Sequence, residues 1–158
     1  MKRILLPALL TLSLVLSACS ATATPLPSDL QPDSVSTESS SSSNDSAMRT
    51  DQQGAIIFEI TPLNLDAPTD TLEFDVVMDT HSIDLSMDLA TLSTLTTDTG
   101  VSVEATLWDA PLGGHHVEGK LIFPATKDGK SILEGATKLT LTILNVDAPT
   151  RIFEWELK

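Results

Sequence analysis

From Ile56 onward the apolar residues stand two apart, and that spacing limits most strongly what this chain can fold into. Ile56, Phe58 and Ile60 share one parity. Leu72, Phe74, Val76 and Met78 form a second run, interleaved with Glu73 and Asp75. Val101, Val103, Ala105 and Leu107 alternate with Ser102, Glu104 and Thr106. Val117, Leu121 and Phe123 alternate with Glu118 and Lys120, and Leu139, Leu141 and Ile143 with Lys138, Thr140 and Thr142. A last run holds Phe153, Trp155 and Leu157, separated by Glu154 and Glu156. Successive side chains on a strand point to opposite faces, so this pattern predicts half-buried antiparallel strands.

Turn chemistry separates the runs. Asp98-Thr99-Gly100 should close a hairpin, and Asp128-Gly129 sits in another turn. Asp66-Ala67-Pro68-Thr69 recurs as Asp147-Ala148-Pro149-Thr150, each between two strand patterns, which predicts the same kind of bend twice. Residues 83–95 are ambiguous. Ile83, Leu85 and Met87 alternate, yet Leu85, Leu89, Leu92 and Leu95 are three or four apart. The reading is a short irregular or helical turn around Asp88 to Thr91, then a strand to Thr97. A helix throughout would have to be built largely from Thr and Ser, which are poor helix formers.

Residues 54–158, roughly a hundred, make one domain. About seven short strands in that length point to an all-β fold, a two-sheet antiparallel sandwich of immunoglobulin-like type. A closed barrel is the alternative. Tyrosine is absent and only four phenylalanines occur, so Leu, Ile and Val must fill most of the core. Trp108 and Trp155 are the candidates for large packing residues.

The chain ahead of this body is of a different kind. Lys2 and Arg3 precede an apolar run over residues 4–16, followed by small residues. These are the parts of a secretory signal, residues 1–18. The run is shorter than the roughly 20 residues a permanent membrane helix needs. Residues 19–53 contain few large apolar side chains, three early prolines and an unbroken serine run from Ser39 to Ser43. Such a composition cannot offset the entropy of ordering and predicts a disordered tether, its ends about 30 Å apart.

At the junction stands Leu16-Ser17-Ala18-Cys19, with the only cysteine of the chain. It resembles the lipobox of bacterial lipoproteins. The resemblance implies cleavage before Cys19, a diacylglyceryl thioether on its sulfur and usually an acyl chain on its new amino group. More than one chain is needed for stable anchoring, since a single one binds membranes only marginally. Ser20 follows the cysteine rather than an aspartate, which by the same resemblance leaves either cell membrane or outer membrane as the destination, facing away from the cytoplasm. One cysteine also excludes disulfides from the body.

The formal charge is -13, with 22 acids against 9 bases. That excludes nucleic acid as a partner, because Lys and Arg must neutralise phosphates. It also leaves contact with membrane lipid to the Cys19 anchor, since anionic headgroups would repel the body.

The three histidines fall at expected strand ends. His81 follows Met78-Asp79-Thr80, and His115 and His116 follow Pro111-Leu112-Gly113-Gly114, just after Trp108-Asp109. Paired glycines permit positive φ. In a sandwich these ends can share a pole. A copper or zinc site would then draw on His81, His115 and His116, with Met78, Asp79 or Asp109 as further ligands. A blue-copper centre is excluded, for its thiolate is missing from the body. The alternative is that His81 and one of the His115–His116 pair hydrogen-bond loop backbone and pin the two bends. The strings Met-Asp-Thr-His-Ser, Trp-Asp-x-Pro-x-Gly-Gly-His-His and Phe-Glu-Trp resemble small exported bacterial β-sandwich domains, grouped with immunoglobulin-like and cupredoxin-like folds. That resemblance implies a fold and no activity.

Catalysis finds no support. Ser82 beside His81 is not a triad, because neighbours on a strand point apart. No Gly-x-Ser-x-Gly, phosphate loop or dinucleotide fingerprint occurs. The expected role is a non-catalytic binding or assembly module, without a cofactor, whose partner is an envelope protein or small ligand. Copper or zinc handling is the alternative.

Overall fold

The computed structural model describes residues 47–158; the expected signal peptide, Cys19 and the expected tether up to residue 46 lie outside the described residues. Eleven strands follow in order: β1 Arg49–Asp51, β2 Ile56–Pro62, β3 Thr71–Thr80, β4 Ser93–Thr97, β5 Ser102–Glu104, β6 Leu107–Asp109, β7 His116–Pro124, β8 Thr126–Lys127, β9 Lys130–Ser131, β10 Lys138–Leu144 and β11 Thr150–Glu156. They form a five-stranded sheet, β1-β2-β3-β7-β6, a four-stranded sheet, β11-β10-β4-β5, and a small β8-β9 hairpin. All pairings are antiparallel. Set aside β1 and the hairpin, and β2-β3-β7-β6 stand in the order A-B-E-D, β11-β10-β4-β5 in the order G-F-C-C′. That is the immunoglobulin arrangement, and the alternative of a closed barrel falls.

The alternating residues fill the space between the sheets. Ile56, Phe58, Ile60, Leu72, Phe74, Val76, Met78, Leu95, Leu121, Phe123, Leu139, Leu141 and Ile143 are all 0% exposed. Phe74 meets Phe123 edge-on at 5.7 Å and tilts against Trp155 at 5.3 Å. Asp128 and Gly129 have φ of 52° and 78° and close β8 onto β9, the two positive φ values a two-residue hairpin prefers. Residues 89–92 form a 3₁₀ turn capped by Asp88, whose Oδ1 accepts from Ala90 N at 2.9 Å, and β4 follows directly.

Several expectations are corrected. Leu107 does not continue the parity of Val101, Val103 and Ala105: it is 49% exposed, and Trp108 is buried instead. The chain changes sheets there. Ala105 N donates to Ser93 O in one sheet and Thr106 N to Ile122 O in the other, and the crossing shifts the inward parity by one residue. Residues 83–87, ambiguous in the sequence, are irregular, with Leu85 buried. The two Asp-Ala-Pro-Thr bends differ. In the second, Asn145 and Asp147 take φ of 60° and 47°; in the first, no residue has positive φ. The body also begins before Gly54, since β1 lies within the stretch assigned to the tether.

The cause of that earlier start is Arg151, which occupies an inward position on β11 in step with Phe153 and Trp155. It is 0% exposed and the largest fully buried side chain. Its guanidinium pairs with Asp51. It also donates to Val146 O at 3.1 Å, Ile56 O at 3.3 Å and Gln53 O at 2.6 Å, and lies 4.7 Å over the Phe58 ring. A buried cation is tolerated only when paired and hydrogen-bonded in this way. Asp51 feels opposing influences. Partial burial, the largest, pushes its carboxyl up, while hydrogen bonds from Gln53 and the Arg151 charge outweigh it and hold the group below its ordinary value.

Gly119 marks a close approach. A Cβ there would lie 2.3 Å from Ala110 Cβ and 2.6 Å from Asp109 O, so the chain leaving β6 sits directly on β7 backbone. Gly119→Ala should cost about 1–3 kcal/mol through this clash. Urea denaturation reads it, and an unchanged midpoint would mean that β6 does not seat there.

Candidate functional site

The end of β3 and the start of β7 form the histidine pole. Register places Asp79 opposite His116. His116 Nδ1 lies 2.6 Å from Asp79 Oδ1, the imidazole N–H donating to the carboxylate. Hydrogen bonding to Asp79, and then its charge, raises the His116 pKa above its ordinary value of 6.5. His115 uses its backbone: Thr80 N donates to its carbonyl at 2.9 Å. The loop before it is stitched down at three points. Gly113 N donates to Leu85 O, Leu85 N to Gly114 O, and Gly114 N to Asp84 Oδ1 at 2.8 Å. Gly113 and Gly114 take φ of 82° and 102°, as the paired glycines foretold.

This geometry gathers only part of the expected ligand set. Met78 is 0% exposed and points into the core, because alternation on β3 sends it away from the face that carries Asp79. Asp109 pairs with Lys120, four residues along β7 from His116 and so roughly 13 Å away along the strand. His81 is exposed on the turn after β3. Among the described residues, no three His, Cys, Asp or Glu side chains come together as a seat for a metal ion. What remains is one exposed ion pair, 61% and 49% accessible, which acts on the surface and is screened by salt.

A titration checks that pair. Its stabilising contribution is complete below about pH 6.5 and is lost as pH rises through the raised folded value. The His116 imidazole resonances should titrate above 6.5, and Asp79→Asn should bring the midpoint back down. A midpoint unmoved by the substitution would show that the pair does not form in solution.

At the other pole, where β2 ends at Pro62 and β11 at Glu156, an open groove of about 810 Å³ runs across the sandwich. Its apolar walls come from Leu63, Leu65, Pro68, Leu133, Leu157 and Trp155, and charge from Arg49, Asp66, Glu156 and Lys158. Leu63 is 43% exposed. The first Asp-Ala-Pro bend forms one wall. Asn64 holds it: its Nδ2 donates to Thr71 O at 2.9 Å, and its Oδ1 accepts from Glu73 N at 3.0 Å. Trp155 Nε1 donates to Ala47 O at 2.6 Å on the opposite wall. Sequence reasoning missed this site. Its lining comes from four separate stretches, and the only local signal was the repeated bend.

No family model matches the chain, and no curated protein does. Among solved structures it is similar to a DUF4426 family protein from Pseudomonas aeruginosa PAO1, at 9% identity and a TM-score of 0.38, over 70% of this chain and 92% of that one.

Proposed function

We propose that the protein is a lipid-anchored binding module of the cell envelope, held through Cys19 and facing outside the cytoplasm, which takes an extended peptide segment of an envelope protein in the groove beside Trp155. It carries out no chemistry. The groove supports the reading best. It has the size and mixed lining of a ligand site. Leucines and prolines alternate there with two cations and two carboxylates, a surface suited to a chain that carries both apolar and charged side chains. Leu16-Ser17-Ala18-Cys19, after a basic head and short apolar run, supports the anchor. The acidic balance supports protein rather than nucleic acid as the partner.

A photo-crosslinking residue at Leu63, in intact cells, should give one discrete adduct. The same residue at Ile152, 58% exposed on the outer face of β11 and outside the groove lining, should give none. Equal adducts from both positions would remove the groove as the seat. Mass spectrometry of the mature N-terminus should find Cys19 acylated; an unmodified thiol would remove the anchor.

A further inference from the structure

We propose that residues 47–53 form a polar strap that opens as a unit ahead of the sandwich and carries one wall of the groove away with it. β1 has only three backbone partners, Arg49, Thr50 and Asp51 against Ile60, Glu59 and Phe58 of β2. Further contacts reach across to β11 of the other sheet. Arg49 Nε donates to Glu154 O at 2.8 Å, and Gln53 Nε2 to Thr150 O at 3.2 Å. Trp155 Nε1 donates to Ala47 O, Arg151 Nη2 to Gln53 O, and Arg151 pairs with Asp51.

The character of these contacts decides the order of opening. No side chain of β1 is fully buried, and the continuous apolar core begins at Ile56. Releasing the strap therefore uncovers little apolar surface and exchanges polar contacts for water, whereas opening β3 or β7 dismantles the core. Segments with few buried apolar contacts open locally, below the free energy of global unfolding. The strap also joins the body to the chain that precedes it. Ala47 and Arg49 line the groove, and the Ala47 carbonyl holds the Trp155 indole. A ligand seated in the groove must then hold the strap down, and displacement of the strap must weaken the ligand by the same factor. This deepens the groove reading and rests on it for the ligand's part alone.

Native-state hydrogen exchange on the full mature chain tests the strap. Amides of residues 49–53 should exchange at least tenfold faster than those of β3 and β7. Arg49→Ala with Gln53→Ala should speed them about tenfold more and leave β3 and β7 unchanged. In a Trp108→Phe background, which leaves Trp155 as the single indole, the same pair of substitutions should make the fluorescence more accessible to acrylamide. Exchange of 49–53 at the rate of β3 would overturn the proposal. So would faster exchange with unchanged quenching, since the strap would then move without the wall. Loss of the Leu63 adduct would remove the peptide ligand and leave these rates as they are.

Discussion

Arg151→Met should lower stability by about 3–5 kcal/mol, a large share of the roughly 5–15 kcal/mol by which a domain of this size is folded. Methionine keeps much of the stem's packing and removes the charge, so the loss reports on the guanidinium alone. Asp51 then keeps only its hydrogen bonds from Gln53, and the carbonyls of Val146, Ile56 and Gln53 lose the Arg151 donors. Asp51→Asn should cost less, about 1–3 kcal/mol, because Arg151 keeps its three carbonyls. The double variant should cost less than the two singles summed, since both remove the same interaction. Urea midpoints measure all three, and a loss below about 1 kcal/mol for Arg151→Met would refute the buried-pair account. The pH dependence follows with its sign. Asp51 has a lowered folded pKa, so its contribution is present above its ordinary value of 3.8 and is lost as pH falls through the folded one. That acid-side loss should shrink in Arg151→Met, where the hydrogen bonds from Gln53 alone remain to favour the Asp51 carboxylate.

Phe74→Ala should be of comparable size, about 3–5 kcal/mol. Phe74 is 0% exposed in the middle of β3 and touches both Phe123 and Trp155, so truncation removes two ring contacts and leaves a cavity between the sheets. The same variant should shift Trp155 emission to the red as the ring loses its neighbour. The chain has no tyrosine and four phenylalanines, all of them buried, so no spare aromatic residue stands ready to refill the space. Leu112→Ala is the control: at 76% exposure it should change stability by less than about 0.5 kcal/mol. Equal midpoints for the two variants would contradict the packing described.

The strands were legible because alternation is a local property of the chain. Leu139-Thr140-Leu141-Thr142-Ile143 must place its leucines and isoleucine on one face wherever that face is later buried. The turns at Asp128-Gly129 and after Asp88 were legible for the same reason, since each rests on what a few adjacent residues can adopt. Arg151 was half-legible. The parity of Phe153 and Trp155, carried back two residues, lands on it, but an arginine looks like a surface residue until its partners are known.

The histidine pole shows where local reading stops. Strand ends did bring Asp79 and His116 together, yet Met78 and Asp109 fell elsewhere, because face and distance along a strand depend on register between strands. The sheet change at Ala105–Thr106 was hidden likewise: an alternating run looks the same whether or not its strand crosses from one sheet to the other.

Alternation and turn residues by themselves determined that residues 54–158 become half-buried antiparallel strands, since those constraints act between neighbours; that the strands pack as a sandwich and not a closed barrel was decided by the pairing of the sheets. The partners of Arg151, the straps across the sheets and the groove were decided only in three dimensions. Each joins residues as much as a hundred positions apart, and nothing in a short stretch of chain specifies which distant surface it will meet.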